Sequence, residues 1–168
     1  MLTIKNKNIL KINDNEINNY LDARNKKFNK IKMINKKSIN RLEHYNWWFS
    51  NKRNIFLYKI NENQKIFFWD KKENIKKKKF LVGGWHSNIS KINLYIILFI
   101  NNWQINRLKK LNLPWIAVVN KNNKSIYKLC RYLGYIEIKS KNNLWFNIIE
   151  KFFNVSSKEF YYLIKFPK

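Results

Sequence analysis

Few side chains in this sequence can trade protons at neutral pH. There are two histidines, His44 and His86, and one cysteine, Cys130. An imidazole with an ordinary pKa of about 6.5 suits general acid–base work at neutral pH. His86, in GGWHS just beyond an apolar run, is therefore the first candidate base, and a loop histidine beside a ligand is the plain alternative. His44 and its neighbour Glu43, or Asp70, are the other candidates; for both carboxylates a solvated surface role is the simpler reading. A structural zinc site needs a closed set of Cys and His ligands, which one cysteine and two widely separated histidines cannot supply. The sequence contains no GxxxxGK phosphate loop, no dinucleotide glycine fingerprint and no Gly-x-Ser-x-Gly elbow. Trp47, Trp48 and Trp85 could wall a sugar or a base, but with 17% aromatic residues most of them are expected in the core.

The composition narrows the setting. The chain has 168 residues, 45% of them hydrophobic, which is enough for one domain over 1–168 with a single substantial core. Lys+Arg 35 against Asp+Glu 10 gives a formal charge of +25. Such a balance attracts nucleic acid, phosphate-bearing cofactors or membrane surfaces. Here the basic residues run from Lys5 to Lys168 with no dominant face, which argues against a nucleic-acid partner. The densest run, Lys71 to Lys79, reads as a solvated hairpin loop. A lone cysteine suits a reducing compartment, and the N-terminus lacks a signal-like apolar core. The most apolar stretch, Ile92 to Ile100, is too short to span a bilayer. A soluble, cytoplasmic protein is expected, of undefined oligomeric state.

These residues need elements to position them. A strand is expected over 8–12, then a helix capped by Asp14 carrying Ile17, Tyr20 and Leu21. A second helix, capped by Ser38, should bury Ile39, Leu42, Tyr45 and Phe49. Strands follow at Ile55–Ile60, Lys65–Trp69 and Phe80–Trp85. A helix over about 90–110 would bury Leu94, Ile97, Leu98, Ile105 and Leu108, and Pro114 bars its continuation. Trp115–Val119 reads as a buried strand and Asn122–Leu133 as a helix with Ile126, Leu129, Cys130 and Leu133 on one face. Gly134 stands where that helix should stop. Tyr135–Lys139 and Glu159–Phe166 close the fold, with an apolar segment of undecided type between them. The order predicts an α/β protein: a mixed central sheet of about six or seven strands, with helices on both faces.

Asn123, then a helix, then Leu133-Gly134-Tyr135 resembles the C-terminal signature of the GNAT superfamily of acyl-CoA N-acyltransferases. Arg24-Asn25, then Ile39, Glu43-His44 and Trp47-Trp48, resembles the N-terminal helices of the branch that acylates nucleotide-linked amino sugars for surface glycans. The resemblance implies that Asn123 lies near the pantetheine arm of acetyl-CoA. It implies that a backbone N–H at Gly84 or Trp85 polarises the thioester carbonyl. The stretch HSNISKIN replaces the family's glycine-rich pyrophosphate loop, so helix-terminal amides helped by Ser87, Asn88, Ser90 and Lys91 would hold the coenzyme. Cys130 stands where the family places a Tyr that protonates the leaving thiolate; Tyr127, nearly one turn away, could substitute, and a small buried hydrophobe is the alternative for Cys130. Arg24, Asn25, His44 and Trp48 would line the acceptor side.

The expected activity is transfer of an acetyl or short acyl group from acyl-CoA to a primary amine, on a nucleotide-linked amino sugar, without a metal. The alternative is a catalytically inactive GNAT-fold basic module that binds nucleic acid or another polyanion.

Overall fold

The computed structural model describes residues 8–167, so the N-terminal signal reading over 1–7 and the end of the basic run at Lys168 lie outside the described residues. The sheet has seven strands: β1 (Ile9–Lys11), β2 (Asn54–Lys59), β3 (Lys65–Ile75), β4 (Lys78–Ser87), β5 (Trp115–Asn120), β6 (Ile136–Glu137) and β7 (Phe160–Lys165). Their order is β1-β2-β3-β4-β5-β7-β6. β4 and β5 are parallel at Leu81↔Trp115 and Val82↔Ile116, whereas β1/β2, β2/β3, β5/β7 and β6/β7 are antiparallel. Flanking helices are α1 (Ile17–Asn25), α2 (Lys27–Lys30), α3 (Arg41–Ser50), α4 (Leu94–Leu108), α5 (Lys124–Tyr132) and α6 (Leu144–Phe153). This is the mixed α/β sheet expected.

The chain divides into two compact units. The first takes α1 to α3, β1, β2, the start of β3, the end of β4, and α4. Alternation along its strands explains how both faces are covered, because successive side chains point to opposite sides. Phe56, Tyr58, Ile66 and Phe68 form one face, packed with Ile96 and Ile100 of α4. Ile55, Leu57 and Phe67 form the other, under Tyr20 and Ala23 of α1 and Trp47 and Trp48 of α3. Burying a side chain of this size stabilises by about 1.5–3 kcal/mol. Tyr58 is fully buried, and among the described residues its hydroxyl has no hydrogen-bond partner.

Two expected helix faces are corrected. On α3, Leu42 and Phe49 are exposed while His44 is buried with Trp47 and Trp48 against the core. On α4 the buried positions are Ile96, Ile100 and Gln104, and the helix begins at Leu94, not near Ser90. Gln104 sits inward because its amide reaches the Trp69 carbonyl (3.2 Å), beside buried Asp70, which pairs with Arg107. The cap of α3 is Asn40, not Ser38: its side chain accepts from the Glu43 N–H (2.9 Å) while the Glu43 carboxylate accepts from the Asn40 N–H (3.2 Å). Glu43 thus serves a capping box.

The second unit takes the hairpin end of β3 and β4 with β5, β6, β7, α5 and α6. Only Lys76 and Lys77 of the lysine run form the turn; both have positive φ, +46° and +65°, the mark of a two-residue I′ hairpin. The remaining lysines of that run lie on the strands, not in a loop. α5 and α6 lie on opposite faces, Tyr127 against Tyr161 (4.1 Å between ring centroids) and Phe146 against Tyr162 (5.0 Å). The undecided segment is α6, capped by the Asn143 side chain accepting from the Trp145 N–H at 2.8 Å. Gly134 ends α5 as expected. Its φ is +86°, with Gly134 N–H bonded to the Arg131 carbonyl and Tyr135 N–H to that of Cys130, a Schellman closure.

Candidate active site

In the first unit the candidate residues converge on Tyr20. His86 lies inside β4, not beyond it, and is buried. Its ring meets Tyr20 edge-on at 4.4 Å and stacks on Phe67 at 5.6 Å. Nε2 sits 3.2 Å from the Tyr20 carbonyl, which can only accept, so Nε2 carries the proton. Burial drives its pKa down to about 3, seconded by the charges of Arg24, Arg53 and His44 and opposed by that hydrogen bond. A neutral, enclosed ring of such low basicity is suited to positioning Tyr20, not to taking an amine's proton. His44 repeats the pattern. It is buried, its Nε2 is 3.1 Å from the Ile17 carbonyl, and its ring stacks on Tyr20 and Trp47. Burial lowers its pKa as well.

The residues expected on the acceptor side are spent on the loop between α2 and α3. Arg24 is buried and donates to the carbonyls of Asn35 (2.8 Å) and Lys37 and to the Asn25 side chain (3.0 Å). Asn25 closes a reciprocal pair with Ile39, donating to its carbonyl (2.8 Å) and accepting from its N–H (3.1 Å). Trp48 Nε1 donates to Asp14 at 2.9 Å, so Asp14 anchors a tryptophan instead of capping α1.

At the end of β4, Gly84 is explained by packing: a Cβ there would lie 3.0 Å from Nε1 of Trp69, whose ring also carries the Arg53 guanidinium at 3.8 Å. Trp85 packs partly buried against the α4 core. Ser87 is buried and donates to the Ile89 carbonyl (2.5 Å). Asn88 accepts from the Lys65 N–H (2.8 Å) and donates to the Asn63 carbonyl (2.7 Å). These two side chains shape the loop instead of reaching outward. Ser90 and Lys91 are the exposed ones, just ahead of α4, where Asn93 accepts from the Tyr95 N–H at 2.9 Å.

In the second unit β5 runs on past its register with β4 to Asn120. Buried Asn120 turns the chain by accepting from the Asn122 N–H (2.9 Å), and its carbonyl accepts from the Asn123 N–H (2.8 Å). Asn123 caps α5 through its backbone carbonyl, bonded to the Tyr127 N–H, and its side chain makes no cap bond. The Tyr127 hydroxyl donates to Glu137 on β6 (2.9 Å), which raises its pKa. It is therefore aimed at β6 and β7, on the far side of β5 from β4. Cys130 is buried, and burial pushes its thiol up to about 11, as for a small core residue.

Sequence reasoning missed Asn29, Asn120 and Glu137. Asn29 donates to both the Ala23 and Ser87 carbonyls (2.7 Å each), tying α2 to the end of β4. In a chain crowded with asparagines, Asn29 and Asn120 carried no distinguishing signal, and nothing in the local pattern pointed Glu137 at Tyr127. Among the described residues, no three His, Cys, Asp or Glu side chains gather as a metal would require, and no helix is long and apolar enough to cross a membrane.

No protein-family profile and no curated protein sequence matches the chain. Solved structures do. The ribosomal-protein-alanine N-acetyltransferase of Brucella melitensis superposes with a TM-score of 0.68 at 13% identity, over 94% of this chain and 98% of that one. A GNAT superfamily phosphinothricin acetyltransferase from Sinorhizobium meliloti, solved with acetyl-CoA, gives 0.65 at 9% identity over 95% and 87%. The Campylobacter jejuni N-acetyltransferase PseH gives 0.55 at 16% identity over 95% and 97%. Across nearly its whole length, the chain has the fold of these acetyltransferases.

Proposed function

We propose that this protein transfers an acetyl or short acyl group from acyl-CoA to a primary amine, carried by a nucleotide-linked amino sugar. The observation that supports the transfer is the fold, shared over 95% of the chain with an acetyltransferase solved with acetyl-CoA bound. The sugar acceptor is supported by the sequence resemblance of Arg24-Asn25 and the α3 residues, whose side chains build the acceptor-side helices from within. In this reading the neutral amine attacks the thioester carbonyl carbon, the C–N bond forms, the C–S bond breaks, and the proton shed by the nitrogen goes to water, replacing the one that the leaving thiolate takes up. A backbone N–H at Gly84 or Trp85 stabilises the oxyanion, a contact of the kind worth roughly 10²–10³ in rate. In the first unit Ser90, Lys91 and the first amides of α4 are the groups suited to the pyrophosphate; for Asn123 of the second unit the pantetheine role rests on the sequence resemblance. Tyr127 and Cys130 are the acids to be tested for the leaving thiolate, and His86 fixes Tyr20.

A second reading, a non-catalytic module for nucleic acid or another polyanion, is favoured by the lysine-tipped hairpin and the glycine-free loop. Calorimetric titration of acetyl-CoA against ATP and adenosine bisphosphate, at low and high salt, separates the two. Salt-resistant binding that requires the pantetheine arm supports acyl transfer. Equal, salt-labile binding of all three polyphosphates rejects it and supports the module.

A further inference from the structure

A cavity of about 330 Å³ opens in the first unit between α1 and the β2–β3 turn. That volume is at the small end of the range for small-molecule sites. One wall is α1 with Asp22, and Lys26 just past its end; the other is the turn bearing Glu62. The floor is apolar, made by buried Ala23 and Phe67. The turn is held in shape from within: Asn61 accepts from the N–H groups of Asn63 (3.0 Å) and Gln64 (2.8 Å), and Asn88 ties Asn63 to β3. The cavity is therefore formed before anything enters it.

Its charge runs against the rest of the molecule. The protein has 35 basic residues for 10 acidic ones, so two carboxylates on one cavity depart from its average surface. Lys65, at the cavity wall, is neutralised by Glu16, whose two oxygens lie 2.8 and 3.1 Å from Nζ. The side chains of Asp22 and Glu62 form no hydrogen bond or ion pair among the described residues, and the other two charges on the lining are Lys65, held by Glu16, and Lys26. Two carboxylates on facing walls over an apolar floor match two ammonium groups joined by methylenes: the carboxylates take the charges and Phe67 and Ala23 the chain between them.

We propose that this cavity is a binding site for a small aliphatic diamine, held by Asp22 and Glu62. It stands on the geometry of this unit alone and does not depend on acyl transfer. The test is titration of the full chain with putrescine, with 1,4-butanediol and Mg²⁺ as controls, at about physiological ionic strength where distant charges are screened. Putrescine should bind, Asp22→Asn and Glu62→Gln should each weaken it at least tenfold, and Lys26→Met should tighten it severalfold. Both carboxylates are exposed, so these variants should melt as the parent does, and Lys26→Met tests the same field by a gain. Absence of putrescine binding at millimolar concentration overturns the proposal. So does affinity unchanged by the carboxylate variants, equal binding of butanediol, or competition by Mg²⁺ at equal concentration. Each of these failures leaves the acyl-CoA titration above, and the reading it tests, untouched.

Discussion

The surroundings of Tyr20 and the helix α5 spend their polar side chains in opposite ways. Around Tyr20, two histidines, an arginine and several asparagines are turned inward, each bonded to a specific backbone carbonyl. Along α5, Lys124, Ser125, Lys128 and Arg131 are exposed, Cys130 and its apolar neighbours face the core, and the terminal closure depends on glycine. The first region should therefore be brittle to polar substitution and sensitive to acid, and the second sensitive mainly to backbone conformation.

The largest effect is expected at Arg24. Arg24→Ala strips buried donors from the carbonyls of Asn35 and Lys37, and should cost about 3 kcal/mol in urea unfolding. A loss below about 1 kcal/mol would mean that the loop holds itself, and the contrast between the regions would collapse. Acid comes next. His86 is neutral in the folded protein, with a pKa near 3, and takes a proton near the ordinary 6.5 once unfolded. Its contribution is thus complete above pH 6.5 and is lost as pH falls from there toward 3, at up to about 1.4 kcal/mol per pH unit. His86→Phe, which keeps a ring on Phe67, should flatten that slope; an unchanged slope would assign the acid sensitivity elsewhere. In the second region, Gly134→Ala should cost about 1 kcal/mol with no packing change, because its φ is +86° and nothing lies within 4 Å of a new Cβ. The smallest effect is expected for Tyr127→Phe, whose hydroxyl is committed to Glu137. Turnover should fall less than about tenfold, below the 10²–10⁴ typical of a lost general acid; a larger fall would identify Tyr127 as that acid.

The same contrast explains what could be read beforehand. α5 was legible down to its stripe and its stop, since a one-sided helix leaves a 3.6-residue pattern and a positive φ selects glycine. α3 and α4 were misjudged because histidine, tryptophan and glutamine occupy their core faces while Leu42 and Phe49 face outward. Hydrophobicity ranks those residues the wrong way when the interior is built from rings and bonded amides. The strands followed from apolar runs, and Pro114 marked the start of β5, whereas their order in the sheet comes from the structure alone. The site side chains did not, because types alone cannot show whether Arg24, Ser87 or Asn88 faces a ligand or the chain's own carbonyls.

Tyr58 has a consequence for anyone who wants more of this protein, or a sturdier form of it. Its ring fills the core between β2 and α4, and its hydroxyl is the one buried side-chain polar atom without a partner among the described residues. Phenylalanine has the same ring and nothing to desolvate, so Tyr58→Phe should raise stability by about 1 kcal/mol, read as a higher melting temperature. The position lies outside every site proposed above. The substitution would thus give a hardened scaffold in which brittle variants such as Arg24→Ala can be made and still be measured folded.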